Sequence, residues 1–283
     1  MSVENFLHRI LESKRREVAA SKAVVPLPTL RERALRPRNK RLFFQAMKTP
    51  AHGGVNIIAE IKRASPSAGP ILPNLDPASR AADYEAGGAR ALSVLTDKPY
   101  FRGTPADLRA ARAATKIPVL RKDFMISTYQ LYEAAVMGAD AVLLIVRILS
   151  TAELEKLLGV CRELALDALV EVNTEEELDR AAQAGARLIG INNRDLSTFQ
   201  TDTSRAVRIA SCLRSGQVAV AASGIKCRDD IEQCLEAGIH NFLIGEFLSR
   251  AEDPRSALQR LLQGAVADTG KVSRREGGSH HES

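Results

Sequence analysis

The sequence predicts an α/β fold, a closed parallel (β/α)8 or TIM barrel preceded by an N-terminal helical extension. Three observations carry that expectation. From residue 55 onward, apolar runs of about five to seven residues alternate with amphipathic stretches at helical spacing. Eight such runs stand near 55–61, 90–95, 118–122, 140–146, 168–173, 187–192, 217–222 and 240–245. A weak repeat accompanies them: Gly88, Gly138, Gly185 and Gly238 each close a helix and lead into a strand. Their spacing is roughly 50 residues, the length of two strand–helix units. Lastly, polar and ionisable residues gather at the ends of the runs, where such a barrel keeps its site. A doubly wound open sheet shares the alternation, but the Gly-rich dinucleotide fingerprint expected after its first strand is absent.

Ahead of the barrel, residues 3–20 read as a helix. Phe6, Leu7, Ile10, Leu11 and Val18 recur at helical spacing, which assigns Lys14, Arg15, Arg16 and Glu17 to the solvent side. Pro26 and Pro28 punctuate a connector. Short helical segments follow at 29–35 and 41–48, split by Pro37, with Phe43 and Phe44 available for packing. The expected organisation is an extension over 1–50 packed on the barrel, a catalytic barrel over 51–265 and a polar, disordered tail over 266–283. His280 and His281 in that tail are too few for a metal site.

The 283 residues suffice for one large α/β domain with a substantial core. No apolar run approaches the roughly 18–20 residues that span a bilayer. The N-terminus lacks the basic flank and apolar core of a signal peptide, so a cytoplasmic protein without membrane contact is expected. Cys161, Cys212, Cys227 and Cys234 form no C-x-x-C pair and are expected to be reduced structural thiols. The net charge of +6 concentrates near the ends, with Arg31, Arg33, Arg36, Arg38, Lys40, Arg41 and Lys48 forming the larger group. With no Trp and no basic–aromatic interleaving, this suits a solvated or anion-steering surface rather than a nucleic-acid partner.

The first strand ends in Glu60-Ile61-Lys62-Arg63-Ala64-Ser65-Pro66-Ser67. Glu60 and Lys62 are two apart, so both side chains point to one face of the strand. Opposite charges confined inside a barrel mouth are rarely kept for stability alone. The second strand runs into Thr96-Asp97 and Phe101-Arg102-Gly103, and the third ends in Arg121-Lys122-Asp123-Phe124. The fourth, running into Arg147, is the weakest case. The fifth carries Glu171 among apolar neighbours, with Asn173 beyond, and the sixth ends in Asn192-Asn193-Arg194-Asp195. An isolated buried carboxylate has its pKa raised and a nearby lysine lowers it. Ser223-Gly224 and Gly245-Glu246 end the seventh and eighth strands, where barrels of this kind often bind phosphate through backbone N–H groups. Ser65 can add a hydroxyl from across the mouth.

In this order and spacing, the chain resembles indole-3-glycerol phosphate synthases over roughly residues 3–262. The motifs that carry the likeness are Glu60–Ser67, Ser93-Val94-Leu95-Thr96-Asp97 with Phe101-Arg102-Gly103, Leu120–Phe124, Val170-Glu171-Val172, Gly190–Leu196, Ser223-Gly224-Ile225 and Leu243–Glu246. The resemblance implies a cytoplasmic carbon–carbon lyase of tryptophan biosynthesis. Such an enzyme closes the indole ring of 1-(2-carboxyphenylamino)-1-deoxyribulose 5-phosphate with loss of CO₂ and water. No metal or organic cofactor is implied, and the partner is a phosphorylated small molecule; a monomer or weak homodimer is expected. By the same resemblance Lys122 is the general acid and Glu171 the base. Lys62 holds the substrate carboxylate and shares proton transfer, Glu60 interacts with Lys62 and the substrate hydroxyls, and Asn192 orients the reacting groups. Phe101 and Phe124 line the aryl pocket, and Arg194 lies near the carboxylate end. Ser65, Ser223, Gly224, Gly245 and Glu246 belong to the substrate and phosphate subsites.

One position departs from the family pattern. Ala222 precedes Ser223-Gly224-Ile225 where the family usually has glutamate. A working or weakened enzyme is expected, with a paralogue acting on a modified anthranilate derivative, or a non-catalytic phosphate-binding barrel, as alternatives. A phosphoribosylanthranilate isomerase, which would use a Cys and Asp pair, is disfavoured because no cysteine ends an early strand.

Overall fold

The computed structural model describes residues 3–51, 53–66, 68–194, 201–202 and 204–263. Ser67, Asp195, the side chain of Phe6 and the tail with His280 and His281 lie outside the described residues. Eight parallel strands form the barrel: β1 (Asn56–Ile61), β2 (Ala91–Leu95), β3 (Val119–Lys122), β4 (Ala141–Ile145), β5 (Asp167–Val172), β6 (Leu188–Asn192), β7 (Val218–Ala222) and β8 (Asn241–Ile244). Each pairs with the next, and β8 closes on β1 from Asn56–Asn241 to Ala59–Ile244. All eight expected strands are present, to within one residue at each end.

The strands read as unbroken apolar runs because both of their faces are buried. Ile58, Leu120, Leu143, Leu169, Val220 and Leu243 fill the barrel interior. Their neighbours Ile57, Val119, Leu144, Val170, Ala221 and Phe242 face the ring of helices. The glycine repeat has its physical cause in the backbone. Gly88, Gly138, Gly185 and Gly238 have φ of 99°, 87°, 84° and 77°, left-handed values that a side chain disfavours and that turn each helix toward its next strand.

The N-terminal segment forms three helices, Val3–Val24, Leu27–Ala34 and Phe43–Lys48. They run as a strap from the mouth of the barrel to its floor. The first crosses the mouth beside β2 and β3, and there the solvent-side placement of Lys14 is wrong. Lys14 is 1% exposed and its Nζ lies 2.8 Å from Asp123 and 3.1 Å from Asp97. Ile10, Lys14 and Val18 are four residues apart, so Lys14 occupies the middle of the buried stripe. The Tyr129 hydroxyl can donate to the Ser21 and Val25 carbonyls, 2.9 Å from each, at the end of this helix.

The strap ends under the barrel. Phe43 and Met47 are buried against the lowest interior layer. Asp140 accepts from Arg41 N at 2.8 Å, and Asp167 accepts from Phe44 N at 2.8 Å. The basic excess here is not simply solvated. Arg38 donates to the Leu164 carbonyl at 2.9 Å, and Arg41 to the Ile117 and Arg112 carbonyls at 2.7 and 3.1 Å. These carbonyls lie at or just past the C-terminal ends of two barrel helices, where unsatisfied acceptors and partial negative charge collect. Arg31 pairs with Glu163 at 2.7 Å on the adjoining surface.

All four cysteines are free, Cys161 and Cys234 buried and Cys212 and Cys227 exposed. Among the described residues no helix is long and apolar enough to cross a membrane.

Phe43→Ala should therefore open a cavity in the barrel floor and cost about 3–5 kcal/mol of stability. A denaturant titration checks the loss. The turnover of the folded fraction should stay at the wild-type value, because the floor is at the opposite end from the mouth.

Candidate active site

A cavity of about 720 Å³ opens at the C-terminal ends of the strands. Its centre is a carboxylate clamped by two ammonium groups. Glu60, 4% exposed, receives Lys62 Nζ on Oε1 at 2.8 Å and Lys122 Nζ on Oε2 at 3.2 Å. Burial alone would raise the Glu60 pKa, but Lys122 and Lys62 outweigh it and hold the group at about 2. Lys122 is raised: its burial opposes the charge, and Glu60 and Glu171 more than offset that.

Across the mouth, Glu171 on β5 is buried and accepts from Asn192 Nδ2 of β6 at 3.2 Å. Desolvation raises its pKa above the ordinary value, against the pull of Lys122 and Asn192, with Glu177 and Glu60 adding to the rise. Asn192 Oδ1 accepts from Arg194 N at 3.0 Å, so its amide is oriented with the nitrogen toward Glu171. Asn173 braces this wall from behind, donating to the Asn192 carbonyl at 3.2 Å. Two opposite wall groups thus have distinct electrostatic settings, an ammonium held charged and a carboxylate held nearer neutrality. That separation is the requirement for acid–base work in one cavity.

The other anticipated residues also line the cavity. The Phe101 and Phe124 rings stand 6.2 Å apart, tilted by 44°, at the β2 and β3 ends. Ser65 is nearly buried, and its Oγ accepts from Ala68 N at 3.1 Å in a short ribbon, Ala64–Ser65 with Gly69–Pro70. Arg194 lies 3.6 Å from Glu246, which also pairs with Arg250. Gly224 has φ 84° with Ser223 beside it at φ 67°. A left-handed non-glycine residue costs about 1–2 kcal/mol, the kind of strain that concentrates at functional loops. Arg147, the weakest candidate, does border the cavity but is paired with Glu177 at 3.0 Å.

Gly245 has a use beyond backbone approach to a ligand. A Cβ there would overlap Glu60 Oε1 and stand 2.8 Å from Lys62 Nζ. The charge pair is packed directly against the backbone just past β8, so a side chain there would push both charged ends aside. Leu7 and Ile10, not anticipated at the site, reach the cavity from the first helix. Their helical spacing gave the apolar stripe, and nothing in the sequence located it at the mouth. Ala222 is buried in an apolar band with Leu143, Ile145 and Leu243. The missing carboxylate is thus replaced by hydrocarbon on this wall.

Fold and cavity together define a (β/α)8-barrel enzyme with buried ionisable groups of both signs at the strand ends. The family model for indole-3-glycerol phosphate synthase matches residues 7–261, and the chain belongs to that family. Among its relatives, the indole-3-glycerol phosphate synthase of Syntrophobacter fumaroxidans is 54% identical over 265 residues, covering 94% of this chain and all of that protein. That of Desulfosudis oleivorans is 55% identical, covering 91% of this chain and 98% of its own length. Among solved structures, a thiamine phosphate pyrophosphorylase from Pyrococcus furiosus superposes with a TM-score of 0.55 at 17% identity, over 74% of this chain and 94% of that one, a likeness of fold alone.

Gly245→Ala should displace Glu60 and Lys62 together. A misplacement of about 1 Å near the chemistry costs on the order of 10²-fold. Steady-state kcat/KM should fall by that order while circular dichroism stays that of the wild type.

Proposed function

We propose that the chain converts 1-(2-carboxyphenylamino)-1-deoxyribulose 5-phosphate into indole-3-glycerol phosphate, CO₂ and water, the activity its family is named for. The observation that carries the reading is the Lys62–Glu60–Lys122 clamp facing the Glu171–Asn192 pair across one cavity. The chemistry needs an acid at the substrate carbonyl, a cation for the aryl carboxylate and a base for rearomatisation. Lys122 is the general acid that polarises the carbonyl and assists loss of the hydroxyl. Lys62 binds the carboxylate and shares proton transfer. Glu60 orients both ammonium groups and helps to hold Lys122 charged. Glu171 removes the proton that restores the aromatic ring, and Asn192 holds it in place.

Phe101 and Phe124 form the slot for the aryl ring, and Arg194 supports its carboxylate end. The Ser65, Ser223–Gly224 and Gly245–Glu246 loops surround the phosphate end. Family membership along nearly the whole chain, with every proposed acid–base group in the cavity, supports the ordinary substrate over a modified one. The apolar wall at Ala222 leaves substrate hydroxyls on that side without a carboxylate acceptor. Ala222→Glu should consequently change KM or kcat for this substrate; identical constants would show that the wall takes no part in binding.

Fluorescence of the indole product tests the reading directly. Wild-type protein should turn over the aminodeoxyribulose phosphate, and Lys122→Met and Glu171→Gln should each lose about 10²–10⁴-fold in kcat, the usual contribution of an acid or base. The absence of wild-type turnover would refute the proposal. The pH profile has a fixed sign. Glu171 acts only when ionised and its pKa is raised from 4.5, so the acidic limb should lie above pH 4.5. Lys122 acts only when protonated and its pKa is raised from 10.5, so its alkaline limb should lie above that of free lysine.

A further inference from the structure

We infer that Lys14, on a helix outside the barrel, is a positioning residue for the proposed reaction: it ties together the two loops that carry the aryl slot and the general acid. The inference rests on the functional reading above for its effect on rate. Its geometry stands by itself.

Lys14 Nζ meets three carboxylates, Asp123 at 2.8 Å, Asp97 at 3.1 Å and Glu17 at 2.8 Å. The two aspartates are essentially buried and each organises a mouth loop. Asp97 caps the short helix Lys98–Phe101 by accepting from Tyr100 N at 2.9 Å, which sets the turn that ends in Phe101. Asp123 stands between Lys122 and Phe124. Its Oδ1 accepts from Phe124 N at 2.9 Å, and its Oδ2 receives Thr96 Oγ1 at 2.7 Å and Arg121 Nη2 at 3.1 Å. One ammonium therefore bridges the β2 loop and the β3 end. Lys122 and Phe124 each adjoin Asp123, and Phe101 ends the short helix that Asp97 caps. Leu7 and Ile10, on the same helix, face the same cavity.

An ordinary anchoring lysine would sit at the surface, where an ion pair contributes little. This one has no solvent to exchange with. Without it, Asp97 and Asp123 are left as two buried carboxylates with Arg121 paired to Asp123, and Arg121 is also engaged by Glu133 at 3.4 Å. Like charges in such a site relax by moving apart or by taking up a proton. Either response alters the loops that hold the slot.

The experiment is Lys14→Met, which keeps the apolar stem and removes the charge. We expect kcat/KM to fall roughly 10- to 100-fold through both constants, since Lys122 bears on kcat and the slot on KM. We also expect a new limb in the pH profile. The variant should work better as pH falls and an aspartate of the Asp97, Asp123 and Glu17 group takes up a proton, and wild type should lack that limb. Lys14→Met/Asp97→Asn removes the surplus charge and guards against misfolding. It should regain thermal stability and lose the new limb, yet keep a reduced kcat/KM because the bridge is still missing. Amide hydrogen exchange reads the tie without substrate: Tyr100 and Phe124 amides should exchange at least about tenfold faster in Lys14→Met, with β5 unchanged. Unchanged exchange at both amides would overturn the inference, even if wild type proved inactive. So would kcat, KM and pH profile within twofold of wild type alongside a lowered Tm. Absent wild-type turnover with faster exchange would overturn the functional reading and leave the tie standing.

Discussion

The mouth of this barrel is built around one buried carboxylate that cannot be left alone. Glu60 is removed from water and survives as an anion because two ammonium groups touch it. Taking away one partner of a buried pair leaves an uncompensated charge and costs about 3–5 kcal/mol. The clamp thus constrains its surroundings: it requires Lys62 on the same strand face, Lys122 two strands away, and a β8 backbone with no side chain at Gly245. Lys122 of the clamp reaches Glu171 on the far wall and opposes the effect of its burial, while Glu60 adds to that effect. The cluster holds Glu60 and Lys122 charged, while burial leaves the Glu171 carboxylate above its ordinary range across the cavity.

The electrostatics of the fold are polarised end to end. All eight strands run in one direction, so the helices between them run in the opposite one. Their N-termini surround the mouth and their C-termini the floor. The N-terminal strap answers each end with a different device. At the floor, Arg38 and Arg41 cover helix-end carbonyls and the N–H groups of Arg41 and Phe44 meet Asp140 and Asp167. At the mouth, Lys14 neutralises aspartates that the barrel loops have turned inward. The strap is an electrostatic complement to the barrel as much as an apolar cover.

The barrel was legible in the sequence because its signals are local. Strand period, helix period and left-handed glycines each depend on a few neighbouring residues, and β1 to β8 follow from them to within a residue. The positions of Glu60, Lys122, Glu171 and Asn192 were legible for a further reason: the fold fixes which end of every strand is functional. Lys14 was not. A lysine flanked by Arg15 and Arg16 has the pattern of a wet face, and only partners 83 and 109 residues away in Asp97 and Asp123 explain its burial. Gly245 was legible as a glycine near a ligand, but its contact with Glu60 depends on barrel closure, which no local pattern encodes. Leu7 and Ile10 announced an apolar face without announcing what it would cover.

The strap also bears on the order in which the molecule can assemble. It is made first, yet nearly every group it needs is made later: Asp97 and Asp123 for the mouth helix, Asp140 and Asp167 for the floor. The pair that seals β1 to β8, Asn56 with Asn241 at 2.9 Å, joins residues 185 positions apart. Contacts of such separation close slowly, because the chain loses loop entropy before it gains the pairing. During synthesis, Lys14 and the strap arginines remain hydrated until half the barrel exists to receive them. The strap therefore acts as a late clasp, because the groups that hold it belong to strands and loops far along the chain.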